Sequence, residues 1–219
     1  MADKFDILIQ DLERVRASGS SFGVFGEDSH SYELNPTLSE PELTEFENDH
    51  GIRLPADYRQ FLLRVGNGGA GPYYGLFRLG EMDDGFDFGP WGVFVGQLSA
   101  PFPHTEAWND LAGKPDDEAA TDEHEYDELI EAFEKRYFDT CHVQGAIPIC
   151  HLGCALRQWL VITGPEAGNV WCDDRADYKG LHPLKTQGRE RTTFFDWYRD
   201  WLNEVLSKVQ LWEQRSSKK

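Results

Sequence analysis

The clearest pattern in the chain is a helical stripe of apolar residues that follows Pro55. Positions i, i+3, i+4 and i+7 of this stripe are Tyr58, Phe61, Leu62 and Val65. The spacing places them on one face of a helix of about three turns. Pro55 suits the first turn of that helix because its missing N–H needs no partner there. The Gly-Asn-Gly-Gly segment at 66–69 ends the helix because these residues tolerate positive φ.

Other segments repeat the helical period or carry helix-start signals. Ser39 and Glu42 form a capping box, and Gly51 is suited to end the helix that they begin. The predicted helices span about 5–18, 40–50, 56–65, 129–137 and 194–209. In the last of these, the residues predicted to face the core are Phe194, Tyr198, Trp201, Leu202, Val205 and Val209.

Short apolar runs bounded by turn residues predict strands, mostly in the second half of the chain. The predicted strands are 22–25, 73–79, 91–98, 145–150, 155–162 and 170–173. Between about 99 and 124 the pattern dissolves into prolines, a glycine and acidic residues. We therefore expect a long loop or insertion there, which in a compact domain is usually functional or mobile.

The helix after Pro55 also carries a family resemblance. Leu-Pro-x-Asp-Tyr-x-x-Phe-Leu at 54–62, followed by Asn-Gly-Gly at 67–69, resembles the core signature of the SUKH superfamily. That group includes fungal cell-wall-assembly regulators and bacterial immunity proteins. Further similar stretches are the acidic helix running into Gly-Ile-x-Leu-Pro at 51–55, Gly-Leu-Phe-x-Leu at 75–79, Ile-Pro-Ile at 147–149 and the Thr-capped terminal helix.

The resemblance covers roughly residues 39–206 and does not account for residues 99–137. Relatives tend to have a small Ser/Gly/Asp-rich turn after the Pro-Ile pair, where this chain has Cys-His-Leu-Gly-Cys at 150–154. The resemblance implies an α+β fold, with a mixed, mainly antiparallel sheet and helices packed against it. It also implies a binding protein with no catalytic residues and no cofactor. We predict a single domain over residues 1–211 with an acidic insertion at about 99–137, and a basic disordered tail at 212–219.

The charged residues in the composition limit which kinds of molecule the protein is expected to bind. The 219 residues include 21 Lys and Arg against 39 Asp and Glu, a formal net charge of −18. Such a surface repels nucleic acid and anionic lipid and attracts basic partners, although many proteins are acidic only for solubility. The first residues lack a signal-peptide pattern, and no run approaches the roughly 20 apolar residues of a membrane span. Four cysteines in a chain of this size do not make a disulfide framework, so we expect a reduced, cytoplasmic protein.

Two clusters suggest metal chemistry. Cys150, His151 and Cys154, with Cys141-His142 nearby, offer thiolates and imidazoles that suit zinc. Their spacing lacks a second matching pair, so structural packing of the cysteines is the favoured interpretation and no metal is predicted.

The second cluster is Asp83, Asp84 and Asp87, with Glu81, which resembles part of a divalent-cation site. No second acidic or histidine motif of recognisable spacing accompanies it, so a solvated turn is the simpler interpretation. A nucleophile elbow and a Gly-rich phosphate loop are both missing from the sequence, and no catalytic residue is predicted.

The densest signal is an acidic run between residues 116 and 134. It is either a solvated helix face or loop, or a contact surface for a basic protein cleft. Closely spaced carboxylates imitate a nucleic-acid backbone electrostatically and speed association with a cationic partner. The candidate partner-binding residues are Asp83, Asp84, Asp87, Trp108, Asp116, Asp117, Glu118, Asp122 and Glu123. The nearby aromatics Trp91, Phe102 and Trp108 are either apolar anchors of that surface or core residues.

The sequence and the resemblance together predict stoichiometric protein binding. The expected partner is a cognate bacterial toxin with a basic active cleft, such as a nuclease, and neither nucleic acid nor a membrane is bound directly. A regulatory scaffold or adaptor is the alternative, and a metal-dependent hydrolase is a third reading.

Overall fold

Four strands form one antiparallel sheet at the centre of the fold. The computed structural model describes residues 3–19, 21–82, 95–116, 123–186 and 188–216. Within these residues the strands are β1 (Ala146–Gly153), β2 (Leu156–Val161), β3 (Val170–Asp173) and β4 (Leu181–Pro183). They lie in the order β1-β2-β3-β4, and each neighbouring pair is antiparallel.

Six α-helices accompany this sheet in the described residues. They are α1 (Lys4–Ala17), α2 (Glu27–His30), α3 (Glu40–His50), α4 (Ala56–Arg64), α5 (Glu123–Tyr137) and α6 (Phe194–Ser216). Helix α6 packs against both α1 and α4. The α+β class predicted from the sequence is confirmed. Of the helices described, none combines the length and the apolarity needed to cross a bilayer.

One face of the sheet packs against α6. Gln158 in β2 lies opposite Cys150 in β1 and Cys172 in β3, so these three side chains share a face. All three residues are buried. The indole N–H of Trp197 in α6 donates a hydrogen bond of 2.8 Å to the Gln158 side-chain oxygen. Helix α6 is therefore tied to the middle of the sheet by a polar contact as well as by apolar packing.

The other face carries the paired Trp159 and Trp171. The ring of Phe102, from the segment that precedes α5, lies 4.9 Å from the Trp171 ring in an edge-on arrangement. Arg175, just after β3, donates from Nη1 to the backbone oxygen of Tyr137 at the end of α5, at 3.3 Å. The sheet therefore lies between α6 on one side and Phe102 of the 95–116 segment on the other.

The helix ends follow the local signals in the sequence. The Glu42 carboxylate accepts from the Ser39 N–H at 2.7 Å, and the Ser39 hydroxyl accepts from the Glu42 N–H, which completes the predicted capping box. Gly51 ends α3 with φ of +63°. The six residues predicted to face the core from α6 are all buried.

The glycine pair after α4 is needed because two chain segments meet there. Gly69 has φ of +101°, and a Cβ at this position would lie 2.5 Å from the Glu33 carbonyl oxygen. The Tyr198 hydroxyl donates to the next residue's carbonyl, that of Ala70, at 2.8 Å. Because Gly69 has no side chain, the turn can approach the preceding loop closely. The bond from Tyr198 attaches this turn to α6.

Two strand predictions in the first half were wrong. Residues 22–25 form a turn and loop, because the Glu27 carboxylate accepts from the N–H groups of Phe22 and Gly23 and removes these donors from any ladder. Residues 73–79 contain a turn, with Tyr73 at φ of +56°, and only Leu76 forms an isolated bridge, to Gly69. A further strand was predicted at 91–98. Residues 95–98 form no strand, and residues 91–94 lie outside the described residues.

The C-terminal helix is longer than predicted. Helix α6 continues to Ser216, so residues 212–216 are helical and not part of a disordered tail. Glu213 lies within this last stretch and pairs with Arg14 of α1 at 2.8 Å. The ion pair and the helix-favouring residues extend α6 beyond the core-facing positions. Residues 217–219 lie outside the described residues.

Candidate functional site

Helix α5 presents a carboxylate-rich face to solvent. Its exposed acidic residues are Glu125, Asp127, Glu128 and Glu131. Leu129 lies among them in sequence, is 51% exposed, and stands at the edge of this face next to the row of Phe133 and Tyr137. Single exposed apolar side chains are common on protein surfaces, so the carboxylates are the distinctive feature of this face. We call these five residues the α5 outer face.

The opposite side of α5 fixes the helix to the body of the protein. Phe133 and Tyr137 are buried there, and the Tyr137 hydroxyl donates to the Asn109 side-chain oxygen at 2.6 Å. Glu134 accepts from the Tyr178 hydroxyl at 2.8 Å. These bonds hold the helix in a defined orientation, so the α5 outer face is presented in one direction.

The nine predicted partner-binding residues are only partly described. Asp83, Asp84, Asp87, Asp117, Glu118 and Asp122 lie outside the described residues. Asp116 is exposed at the end of the 95–116 segment, and Glu123 is the first residue of α5. Asp116 and Glu123 therefore lie at the two ends of an undescribed stretch that leads into the α5 outer face.

Trp108 lies in an aromatic stack at the base of the same region. Its ring is 4.1 Å from the His142 ring and 5.4 Å from the rings of His104 and Tyr137. Its backbone N–H and carbonyl both bond to Leu181 of β4 at 2.8 Å. Trp108 is partly buried, and these contacts attach the 95–116 segment to the free edge of the sheet.

The histidines in this stack are held neutral. Burial lowers the pKa of His104 to about 4, although its contact with the His142 carbonyl opposes that shift. The His104 Nε2 lies 3.1 Å from this carbonyl oxygen. Burial also lowers the pKa of His142. At neutral pH the stack therefore carries no positive charge that would offset the acidic surface above it.

The other aromatic candidates do not form an exposed anchor. Phe102 is 3% exposed and packs on Trp171, so it is a core residue. Trp91 lies outside the described residues. The apolar side chain that the sequence did not single out as an anchor is Leu129. Leu129 lies four residues before Phe133 and eight before Tyr137, so helical spacing groups it with these buried residues, and the sequence gives no signal that it is exposed.

The cysteine and histidine cluster is divided between different environments. Cys150 is buried beside Gln158, and burial raises its thiol pKa well above the ordinary value. Cys154 is exposed at the turn between β1 and β2. The His151 ring stacks on Tyr74 at 4.6 Å and on Phe77 at 5.9 Å. In the described residues no group of three or more His, Cys, Asp or Glu side chains is arranged to hold a metal ion.

Comparison with known proteins identifies the family. Residues 37–204 match the SMI1 / KNR4 family (SUKH-1). A segment of 52 residues is 35% identical to Immunity protein RhsIB of Dickeya dadantii (strain 3937). That match covers 24% of this chain and 31% of the relative, so the chain spans about a third of the relative's length. No solved structure matches the chain. Because the family match covers more than half of the chain, this protein belongs to the SMI1 / KNR4 (SUKH-1) family.

Proposed function

We propose that this protein is an immunity protein, which binds a cognate bacterial toxin and neutralises it without catalysing a reaction. The observation that carries the proposal is its similarity, within the SUKH-1 family, to a protein named as an immunity protein. Neutralisation by binding requires a surface that covers the active cleft of the toxin. The acidic surface around α5 is the surface that we assign to this role.

The charge of that surface supports a basic partner. The α5 outer face carries four exposed carboxylates, with Leu129 at its edge, on a chain with a net charge of −18. Protein interfaces combine apolar contact area with polar groups, and Leu129 can supply apolar area here. Fields of one sign raise association rates with an oppositely charged cleft. We propose that Asp83, Asp84, Asp87, Asp116, Asp117, Glu118, Asp122 and Glu123 extend the contact surface, with Trp108 supporting it from beneath.

The electrostatics also favour one kind of toxin. Enzymes that bind nucleic acid carry basic clefts, because phosphate contacts dominate their affinity. A row of carboxylates competes for such a cleft, so a nuclease domain is the partner that we propose. The same negative charge disfavours direct binding of nucleic acid or an anionic membrane by this protein.

We place the protein in the cytoplasm in this proposal. Its four cysteines are all unpaired, at Cys141, Cys150, Cys154 and Cys172. Unpaired cysteines are typical of a reducing compartment, where disulfides are rare.

The test is co-expression with the product of the adjacent open reading frame. Expression of that product alone should arrest growth, and co-expression with this protein should restore it. The purified pair should form a 1:1 complex whose affinity falls as salt is raised. A neighbour that is not toxic, together with pull-down partners that are regulators, would favour the scaffold function instead. Turnover of a substrate by the purified protein would contradict the binding-only function.

A further inference from the structure

A groove of about 710 Å³ lies between α6 and two loops of the N-terminal half. Its volume is within the range of pockets that bind ligands, roughly 300–1,000 Å³. Helix α6 forms one wall, residues 24–25 and 72–73 form the other, and Gln158 of β2 lies between them. None of the residues that line it belongs to α5, so it is separate from the α5 outer face.

Aromatic side chains from three segments line part of the groove. Phe25 is 59% exposed, and its ring meets the Tyr73 ring edge-on at 6.3 Å. Trp197 and Trp201 of α6 also line the groove. Trp201 is 7% exposed, and its indole N–H has no hydrogen-bond partner among the described residues. The unpaired indole N–H is a donor, so a bound segment that satisfies it must bring an acceptor such as a peptide carbonyl. The exposed Phe25 ring can pack against a further side chain.

The charged side chains that line the groove are acidic. Asp200 accepts from Arg189 Nη1 at 2.7 Å, so its charge is compensated by an arginine that does not line the groove. It also accepts from the hydroxyl of the lining residue Thr186 at 3.1 Å. Glu204 differs, because its side chain is 61% exposed and its contact with Lys208 is longer, at 3.5 Å. Lys208 also donates to the Gly23 carbonyl at 2.7 Å. Glu204 is thus the carboxylate in the groove with the most capacity for a further cation.

We infer that this groove binds an arginine- or lysine-bearing peptide segment of a protein partner. The faces of aromatic rings attract guanidinium and ammonium groups, and a neighbouring carboxylate strengthens the attraction. Phe25 and Tyr73 supply the rings, and Glu204 supplies the carboxylate. The inference rests on the proposed binding function, and it adds a second contact at which a basic loop of the partner would dock.

The inference can be tested on the isolated protein with a short peptide. The probe is Ac-Gly-Arg-Gly-NH2, titrated while the assigned indole N–H resonances of Trp197 and Trp201 are followed by NMR. We expect saturable shifts at these two indoles and no comparable shifts with Ac-Gly-Glu-Gly-NH2. Glu204→Gln should weaken the apparent affinity by about two- to five-fold, which corresponds to the loss of one exposed ion pair. Phe25→Ala should weaken it by a similar factor, through loss of the cation–π contact.

Glu45→Gln is the matched control, since Glu45 is exposed on α3 and does not line the groove. It should bind the peptide as the parent protein does. The inference is overturned if neither indole shifts, if the arginine and glutamate peptides behave alike, or if Glu204→Gln and Glu45→Gln have the same effect. Failure here leaves the toxin co-expression result standing, because that experiment does not involve the peptide. If co-expression does not restore growth, the proposed toxin-neutralising function is rejected, and the result on the groove is unaffected.

Discussion

At the scale of single residues, Glu27 is a carboxylate that the fold keeps charged inside the protein. Burial on its own would raise the pKa of Glu27, but hydrogen bonds from Ser21, Tyr32 and the N–H groups of Phe22 and Gly23 outweigh it and lower the pKa to about 2. The two backbone donors lie 3.0 and 2.7 Å from the carboxylate. This carboxylate therefore organises the loop that forms one wall of the groove.

Glu27→Gln should destabilise the protein and change how its stability depends on pH. A folded-state pKa below the unfolded value adds stability that is present above the unfolded pKa, near 4.5, and is lost as pH falls toward about 2. The loss expected for the parent protein is about 3 kcal/mol across that window. Urea unfolding between pH 7 and pH 3 should record about 2 kcal/mol of this loss, since the rest falls below pH 3. The variant should be less stable at pH 7 with a shallower decline. Equal slopes in Glu27→Gln and the parent protein would contradict this assignment.

Two tryptophans on α6 allow the value of one buried hydrogen bond to be measured. The indole of Trp197 donates to Gln158 at 2.8 Å, whereas the buried indole of Trp201 has no hydrogen-bond partner in the described part of the chain. Both Trp→Phe changes remove apolar volume, but only Trp197→Phe leaves a buried acceptor with one bond fewer. We expect Trp197→Phe to cost about 1–3 kcal/mol more in free energy of unfolding than Trp201→Phe. A larger loss for Trp201→Phe in chemical denaturation would refute this ordering.

At the scale of elements, local signals predicted the helices well and the strands less well. The capping box at Ser39 and the stripe after Pro55 each act within one segment, so the sequence carries the whole signal. Strand β4 has three residues and was not predicted, because it exists through pairing with β3 and with Trp108. The false strand at 22–25 failed for a similar reason, since Glu27 binds its backbone donors. Trp108 is distant from β4 in sequence, and Glu27 is near 22–25, but nothing in the spacing of Glu27 indicates that it accepts from these N–H groups.

The attachment of the 95–116 segment to β4 depends on close backbone contact at Gly180. Gly180 has φ of +79°, and a Cβ there would lie 2.0 Å from the Trp108 carbonyl oxygen. Gly113 has a similar φ of +76° but has open space around it, so Gly113→Ala isolates the cost of the backbone conformation, about 1–2 kcal/mol. Gly180→Ala should lower the free energy of unfolding by at least about 2 kcal/mol more than Gly113→Ala, because its Cβ also clashes with the Trp108 carbonyl oxygen. It should also increase hydrogen exchange at the Trp108 and Leu181 amides. Equal losses for both variants would show that the contact is easily relieved.

At the scale of the whole molecule, the sequence predicts a concentration of negative charge, and the fold sets the direction in which that charge faces. The acidic run is readable from composition, but its direction is set by contacts of α5 with Asn109 and Tyr178, which lie distant in sequence. The groove at α6 could not be predicted, since its walls come from Phe25, Tyr73 and Trp201. These residues meet only when α6 packs against the N-terminal half. Periodicity therefore locates the charged helix, while its orientation and the groove depend on tertiary packing.

The α5 outer face should control how fast the proposed toxin partner binds. Replacing Glu125, Glu128 and Glu131 together by Gln removes three exposed charges from one helix, so long-range attraction to a basic cleft falls while buried contacts stay intact. We expect kon to fall by about ten-fold at low salt and to depend less on salt concentration. The dissociation rate should change less. The control replaces Glu13, Glu45 and Asp49 by their amides, which removes the same net charge from exposed positions on α1 and α3. Stopped-flow association at several salt concentrations compares the two triple variants.

If both variants lower kon equally, the attraction comes from net charge alone and α5 is not the encounter surface. A larger effect at α5 assigns the encounter surface to this helix, because the two variants differ in where the charge was removed and not in how much.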